Sequence, residues 1–178
     1  MAEVLKLHSP VTREDLKNLK AGDRELLSGT IITGRDAAHK RLVAALDAGQ
    51  DLPVELNGMI IYFVGPCPAP PGRPVGSAGP TTSYRMDAYS PRLLRECGLL
   101  GMIGKGDRND EVIAAMKEAG AVYFAATGGA GALISQCIKH CEVAAFDDLG
   151  PEAIYRMEVE DMPLVVAIDA EGNDLYRR

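Results

Sequence analysis

Apolar runs of strand length alternate with helix-patterned segments along most of this 178-residue chain, and no other feature constrains its fold as strongly. Residues 4–8 alternate loosely, as a half-buried strand does. Thr12-Arg13-Glu14-Asp15 has the hydroxyl-then-acid signature of a helix start, and a short helix over residues 15–20 closes at Ala21-Gly22. Residues 24–33 carry Leu26, Leu27, Ile31 and Ile32 and predict a strand. Asp36 opens a helix in which Ala37, Ala38, Leu42, Ala45 and Leu46 recur at helical spacing until Gly49. The run Met59-Ile60-Ile61-Tyr62-Phe63-Val64 is apolar throughout, the pattern of a strand covered on both faces. Further on, Ser90-Pro91 starts a helix to Cys97, with proline in the first turn. Residues 99–103 form a short strand, residues 109–117 a helix capped by Asn109, and residues 121–126 another strand. A helix over residues 132–140, a short strand over 143–146 and closing strands over 154–159 and 164–169 complete the chain. Strand–helix alternation with additional strands at the end predicts one α/β domain over residues 1–178, a mixed sheet flanked by helices.

A formal net charge of −6 argues against nucleic acid or an anionic membrane as a general partner, while leaving room for a local basic pocket. No apolar run approaches the ~20 residues that span a bilayer. The start, Met1-Ala2-Glu3-Val4, lacks the basic-then-apolar order of a secretory signal, so the expected compartment is the cytoplasm. Cys137 and Cys141 fall four apart within the expected helix and so could share a face. They read as two small buried apolar residues or as half of a metal site, and no Cys-x-x-Cys pair or ligand-spaced histidine completes the latter.

Between the strands lie the loops that could carry chemistry. Residues 65–80 hold Pro66, Pro68, Pro70, Pro71, Pro74 and Pro80, which excludes a helix or an inner strand; a loop of that length in one domain points to a folded binding loop. Thr33-Gly34-Arg35-Asp36 joins a strand to a helix, where exposed N–H groups and Arg35 would suit an anion and His39 could face the same place. Alternatively, Asp36 caps the helix and His39 is solvated. Thr81-Thr82-Ser83-Tyr84-Arg85 offers hydroxyls and an arginine for a carboxylate, or a turn whose hydroxyls satisfy their own backbone. Asp87 either caps the helix start or pairs with a nearby base. Gly104-Lys105-Gly106 presents a lysine at a strand end, where α/β folds place their ligands. Residues 127–131, Thr-Gly-Gly-Ala-Gly, match neither the dinucleotide nor the Walker spacing and read as a tight strand-to-helix turn.

Taken together, these residues resemble the β subunit, or C-terminal domain, of the iron–sulfur hydro-lyases of the class I fumarase and L-tartrate dehydratase family. The resemblance lies in Gly29-Thr30-Ile31-Ile32-Thr33-Gly34-Arg35-Asp36-Ala37-Ala38-His39, in Tyr62-Phe63-Val64-Gly65-Pro66-Cys67-Pro68-Ala69, and in Gly76-Ser77-Ala78-Gly79-Pro80-Thr81-Thr82-Ser83-Tyr84-Arg85-Met86-Asp87. It continues in order through Met102-Ile103-Gly104-Lys105-Gly106, Ala126-Thr127-Gly128-Gly129-Ala130 and Phe146-Asp147-Asp148-Leu149-Gly150. The resemblance implies a swivelling β/β/α fold and a carbon–oxygen hydro-lyase that reversibly dehydrates a hydroxy-dicarboxylate, malate to fumarate or tartrate to oxaloacetate. It implies a hetero-oligomer in which a separate α subunit holds a [4Fe–4S] cluster through its own cysteines, leaving this chain with no metal ligands. By the same resemblance Arg35 and Arg85 are carboxylate clamps and Lys105 is a third cationic contact with a catalytic role. Asp36 and His39 line the pocket, and Thr81 helps move the proton, with Thr82 and Ser83 beside it. Tyr84 departs from the glycine of many relatives and would either narrow the pocket or turn outward. A stand-alone anion-binding or regulatory module, which kept the fold and lost the partner, is the competing expectation.

Overall fold

Period-two alternation along the strands sorts the apolar side chains into two cores. Ile31, Ile60, Tyr62, Val64, Ile103, Val122 and Phe124 enter one. Their immediate neighbours Ile32, Ile61, Phe63, Met102 and Tyr123 enter the other, together with Ala38, Leu42, Leu93, Leu94 and Val112. The structure, a computed structural model, describes residues 4–126 and 131–177.

The strands are β1 (Val4–Ser9), β2 (Arg24–Thr33), β3 (Ile60–Tyr62), β4 (Gly101–Gly104), β5 (Val122–Ala125), β6 (Ile138–Ala145) and β7 (Ile154–Ile168). The helices are α1 (Arg13–Leu16), α2 (Asp36–Asp47), α3 (Ser90–Cys97), α4 (Asp110–Ala119) and α5 (Gly131–Cys137). Strands β1 to β5 pair in parallel, in chain order. β7 runs antiparallel to β5 through Val165, Val166 and Ile168 and to β2 through residues 156–165. One strand thus joins both ends of the β2–β3–β4–β5 array and closes it into a barrel-like sheet, with β1 and β6 attached outside the ring. The first core fills the ring, and the second lies between the sheet and helices α2, α3 and α4. This is the mixed, helix-flanked α/β architecture of a swivelling domain.

Local chemistry accounts for the helix starts. Thr12 Oγ1 accepts the Asp15 N–H at 3.2 Å and Asp15 Oδ2 accepts the Thr12 N–H at 2.9 Å, a reciprocal cap for α1. Asn109 Oδ1 accepts the Val112 N–H at 2.9 Å and caps α4. Among the described residues no helix is long and apolar enough to cross a membrane.

Three expectations need correction. The helix expected over residues 15–20 is the single turn Arg13–Leu16, since the reciprocal cap at Thr12 starts it earlier. The helix expected over residues 132–140 ends at Cys137, because Ile138 pairs with Val159 and Cys141 with Met157 in the β6–β7 ladder. Pairing with a long strand overrides a short helical pattern here. Cys137 and Cys141 therefore sit on different elements, and both pack against the inner core. Burial raises both thiol pKa values, that of Cys141 to about 11. The two closing strands expected over 154–159 and 164–169 are one strand, β7. The polar break at Glu160-Asp161 is a bulge: the register shifts between Leu27 and Gly29 on β2, and Asp161 takes φ 50° while donating its N–H to Ser28 Oγ at 3.0 Å.

Glu25 is the exception to an apolar interior. It is 1% exposed on the Leu27 face of β2, and neither carboxyl oxygen has a hydrogen-bond partner among the described residues. Burial, aided by the charge of Asp23, raises its pKa from 4.5 to about 7. The folded state then holds a proton that the unfolded chain releases, so the stability Glu25 contributes is full below about pH 4.5 and lost as pH rises through about 7. Glu25→Gln is expected to match the parent protein in thermal unfolding near pH 4.5 and to exceed it in midpoint at pH 8.

Candidate functional site

Parallel pairing brings the C-terminal ends of β2, β3, β4 and β5 to one edge of the sheet, the edge where α/β folds bind ligands. The loops that leave these ends are laced together by backbone hydrogen bonds. Gly34 N–H donates to the Tyr62 carbonyl at 3.0 Å, joining the β2 exit to β3. Thr81 N–H donates to the Phe63 carbonyl at 2.7 Å, so the chain returns to the same edge after the proline-rich excursion. Thr82 bridges Lys105 in parallel, and Ser83 N–H donates to the Lys105 carbonyl at 2.9 Å. The excursion itself is folded: Cys67 N–H donates to the Ser77 carbonyl at 2.9 Å, and the Tyr62 hydroxyl to the Ala78 carbonyl at 2.5 Å.

Arg35 precedes α2 in extended conformation. It lies against the backbone at Gly65, where a Cβ would come within 3.0 Å of Arg35 Nη1 and 3.1 Å of its Cδ. A side chain there would displace Arg35 by a few tenths of an ångström. Arg85 donates from Nε to Asp36 Oδ2 at 3.0 Å, which ties the 3₁₀ turn Ser83–Met86 to the start of α2. This bond leaves both Arg85 Nη groups without a partner among the described residues. Lys105 is exposed, and neither it nor Arg35 has a salt-bridge partner among the described residues. Arg35, Asp36, Thr81, Thr82, Arg85 and Lys105 thus occupy one edge. On a chain of net charge −6, it is an edge where cations outnumber the carboxylate paired with them. The N-terminus of α2 is partly occupied by the protein: Glu152 Oε1 accepts the Ala37 N–H at 3.4 Å.

Two residues expected to line this edge lie beneath it. Ser83 is fully buried. It drops into space left by Gly104, where a Cβ would sit 1.9 Å from Ser83 Oγ. There it meets the Tyr123 hydroxyl at 2.7 Å, which also lies 2.8 Å from the Gly106 carbonyl oxygen. A carbonyl can only accept, so the single Tyr123 proton goes to Gly106 and Ser83 donates to Tyr123.

His39 is also fully buried, against Phe63 and Tyr89. Its Nδ1 lies 2.8 Å from the Arg35 carbonyl, so the proton is on Nδ1 and buried Nε2 is left as a lone pair without a partner among the described residues. Burial lowers its pKa from 6.5 to about 4, against the opposing pull of the Arg35 carbonyl, so the ring is neutral at pH 7. Instead of being solvated or facing a ligand, it braces the Arg35 backbone. Tyr84, 65% exposed, turns outward. Residues 127–130, the core of the expected glycine turn, lie outside the described residues.

Sequence reasoning missed Arg108, which is 1% exposed and the largest fully buried side chain. The only signal was Asp87, expected to cap a helix start or meet a base. It meets the base and caps no helix: Asp87 Oδ1 accepts Arg108 Nε at 2.7 Å, and Oδ2 accepts the N–H of Asn109, the residue that itself caps α4, at 3.0 Å. Among the described residues, no three histidine, cysteine or carboxylate side chains converge as a metal ion would need.

Comparison with known proteins adds a lineage to this geometry. The family described as Fumarase C-terminus matches residues 1–178. The anaerobic class I fumarate hydratase of Escherichia coli is 42% identical over 164 residues, covering 92% of this chain and 30% of that protein. Fumarate hydratase 2 of Leishmania major is 37% identical over 167 residues, covering 93% of this chain and 29% of that protein. A Methanocaldococcus jannaschii protein named "Putative L(+)-tartrate dehydratase subunit beta" is 37% identical over 171 residues, covering 93% of this chain and 88% of that one. The chain thus spans about 30% of the fumarate hydratases it matches and most of the tartrate dehydratase subunit.

The contact between Gly104 and Ser83 gives a direct test of how the edge is built. Gly104→Ala should cost about 1–3 kcal/mol in denaturant unfolding, the usual penalty for overpacking. Part of that loss should return in Gly104→Ala/Ser83→Ala, read as a coupling energy in a double-mutant cycle.

Proposed function

Because the chain belongs to the Fumarase C-terminus family, we propose that it is the β-subunit half of a cytoplasmic [4Fe–4S]-dependent hydro-lyase that reversibly dehydrates a hydroxy-dicarboxylate. Malate and fumarate are the leading pair, and tartrate is the second. The observation that carries this reading is the edge itself: Arg35 and Lys105 without acidic partners, Arg85 with free Nη groups, and the Thr81-Thr82 hydroxyls between them. A dicarboxylate supplies the charge this edge lacks.

Each side chain has a definable task. Arg35 and Arg85 each grip a carboxylate through paired N–H donors, and Asp36 fixes the Arg85 fork by holding its Nε. Lys105 adds a compact positive charge that also steadies the negative charge building on a carboxylate as its α-proton leaves. The Thr81 hydroxyl relays that proton from the carbon beside the carboxylate; threonine is too weak a base alone, so a carboxylate of the α subunit activates it. The cluster, held by the α subunit, supplies a Lewis acid for the departing hydroxyl. His39 takes no proton, being neutral and locked against the Arg35 carbonyl. The open edge accords with a site completed across a subunit interface.

The test is anaerobic co-purification with the cluster-bearing subunit, followed by a panel of malate, fumarate and tartrate. Arg85→Ala should lower kcat/KM by roughly 10²-fold or more, the value of two charge-assisted hydrogen bonds, with assembly unchanged. Full activity in that variant would remove Arg85 from the clamp. Dicarboxylate binding without turnover by the assembled parent complex would favour the anion-binding module.

A further inference from the structure

Beneath the cationic edge lies a buried polar layer. The Arg108 guanidinium sits with its centre 5.2 Å from the Phe63 ring centroid and 5.1 Å from that of Tyr123. Each guanidinium nitrogen has a partner: Nε donates to Asp87 Oδ1 at 2.7 Å, Nη2 to Ser90 Oγ at 2.7 Å and Nη1 to Met102 Sδ at 3.3 Å. Burial lowers the Arg108 pKa and Asp87 opposes the shift. A guanidinium stays protonated even so, so a full positive charge is held in the interior.

Arg108 and Asp87 belong to two different loops of the edge. Arg108 lies three residues after Lys105, and Asp87 two residues after Arg85. A second cross-link runs parallel to the first, from Ser83 through the Tyr123 hydroxyl to the Gly106 carbonyl. Buried ion pairs seldom add stability over an apolar pair of the same shape, and what they offer instead is a defined geometry. An apolar pair here would fill the volume and leave the Arg85 turn held against Lys105 only through Thr82 and Ser83.

We propose that Arg108 is a positioning residue: through Asp87 it sets the separation of Arg85 and Lys105, and so the length of dicarboxylate the edge accepts. This rests on reading the edge as a dicarboxylate clamp. Arg108 acts through Asp87 and touches no substrate.

The test compares three variants of the full chain, alone and in the assembled complex. Arg108→Met/Asp87→Asn removes both charges, leaves none unpaired and keeps an acceptor for the Asn109 N–H. Arg108→Lys keeps the charge and loses the fork. Arg95→Met, at an exposed arginine of α3, is the control. The double variant should keep cooperative unfolding while KM for the dicarboxylate rises about tenfold and kcat changes less. Arg108→Lys should recover part of that KM, and Arg95→Met should behave as the parent. In the isolated chain, exchange of the Ser83 and Asn109 amide hydrogens should accelerate at least tenfold in the double variant. If the double variant does not fold, Arg108→Lys carries the same two readouts, with a smaller KM rise. Parent KM together with parent amide exchange in the folded variant would overturn the proposal. A parent complex without hydro-lyase activity would overturn the clamp reading instead, and amide exchange would still decide whether Arg108 ties the loops together.

Discussion

Closure of the sheet by β7 is the constraint from which the other features follow. Strands β2 to β5 run in parallel, and a parallel array leaves two raw edges and two apolar faces. A 15-residue strand that pairs antiparallel with both β2 and β5 covers both edges at once. The inner face then becomes an enclosed core, and the outer face is left for α2, α3 and α4. The C-terminal ends of the parallel strands are gathered on one rim, and every loop with chemical potential starts there. The bulge at Asp161 belongs to the same solution, since one strand can follow the curved β2 only by adding twist midway.

Electrostatics divides that rim into two layers. On top, Arg85 and Lys105 are exposed and Arg35 is half-buried, with one acidic partner, Asp36, among the three. Below, Arg108 is buried with a partner at each nitrogen, His39 is buried and neutral, and Ser83 is committed to Tyr123. In the proposed reading the upper layer meets an external anion, and the lower one holds the loops in place.

Much of this was legible in residue order. Strand–helix alternation gave the fold class, and the caps at Thr12 and Asn109 marked helix starts that the structure contains. The motifs around Arg35, Thr81, Arg85 and Lys105 identified the rim, because a glycine beside a cation at a strand end is a local pattern. The failures past α1 share one cause. The helix expected through residue 140 yields to the β6–β7 ladder, and the polar Glu160-Asp161 break becomes a bulge, because a distant partner strand supplies hydrogen bonds that local propensity does not foresee. His39 and Ser83 went astray for a related reason. Polar side chains next to site residues were expected to face the site, whereas a carbonyl at Arg35 and a hydroxyl at Tyr123 hold them inside.

Residue order alone therefore settled the architecture class, the family and the identity of the exposed cations, all of which depend on patterns within a few residues. Tertiary structure alone decided which polar groups stand on the rim and which lie under it. That choice depends on pairings such as Asp87 with Arg108 and Gly104 with Ser83, between residues about twenty positions apart in the chain. Whether a buried charge or hydroxyl is tolerated is set by the partner that the folded chain brings to it, and no local pattern records that partner.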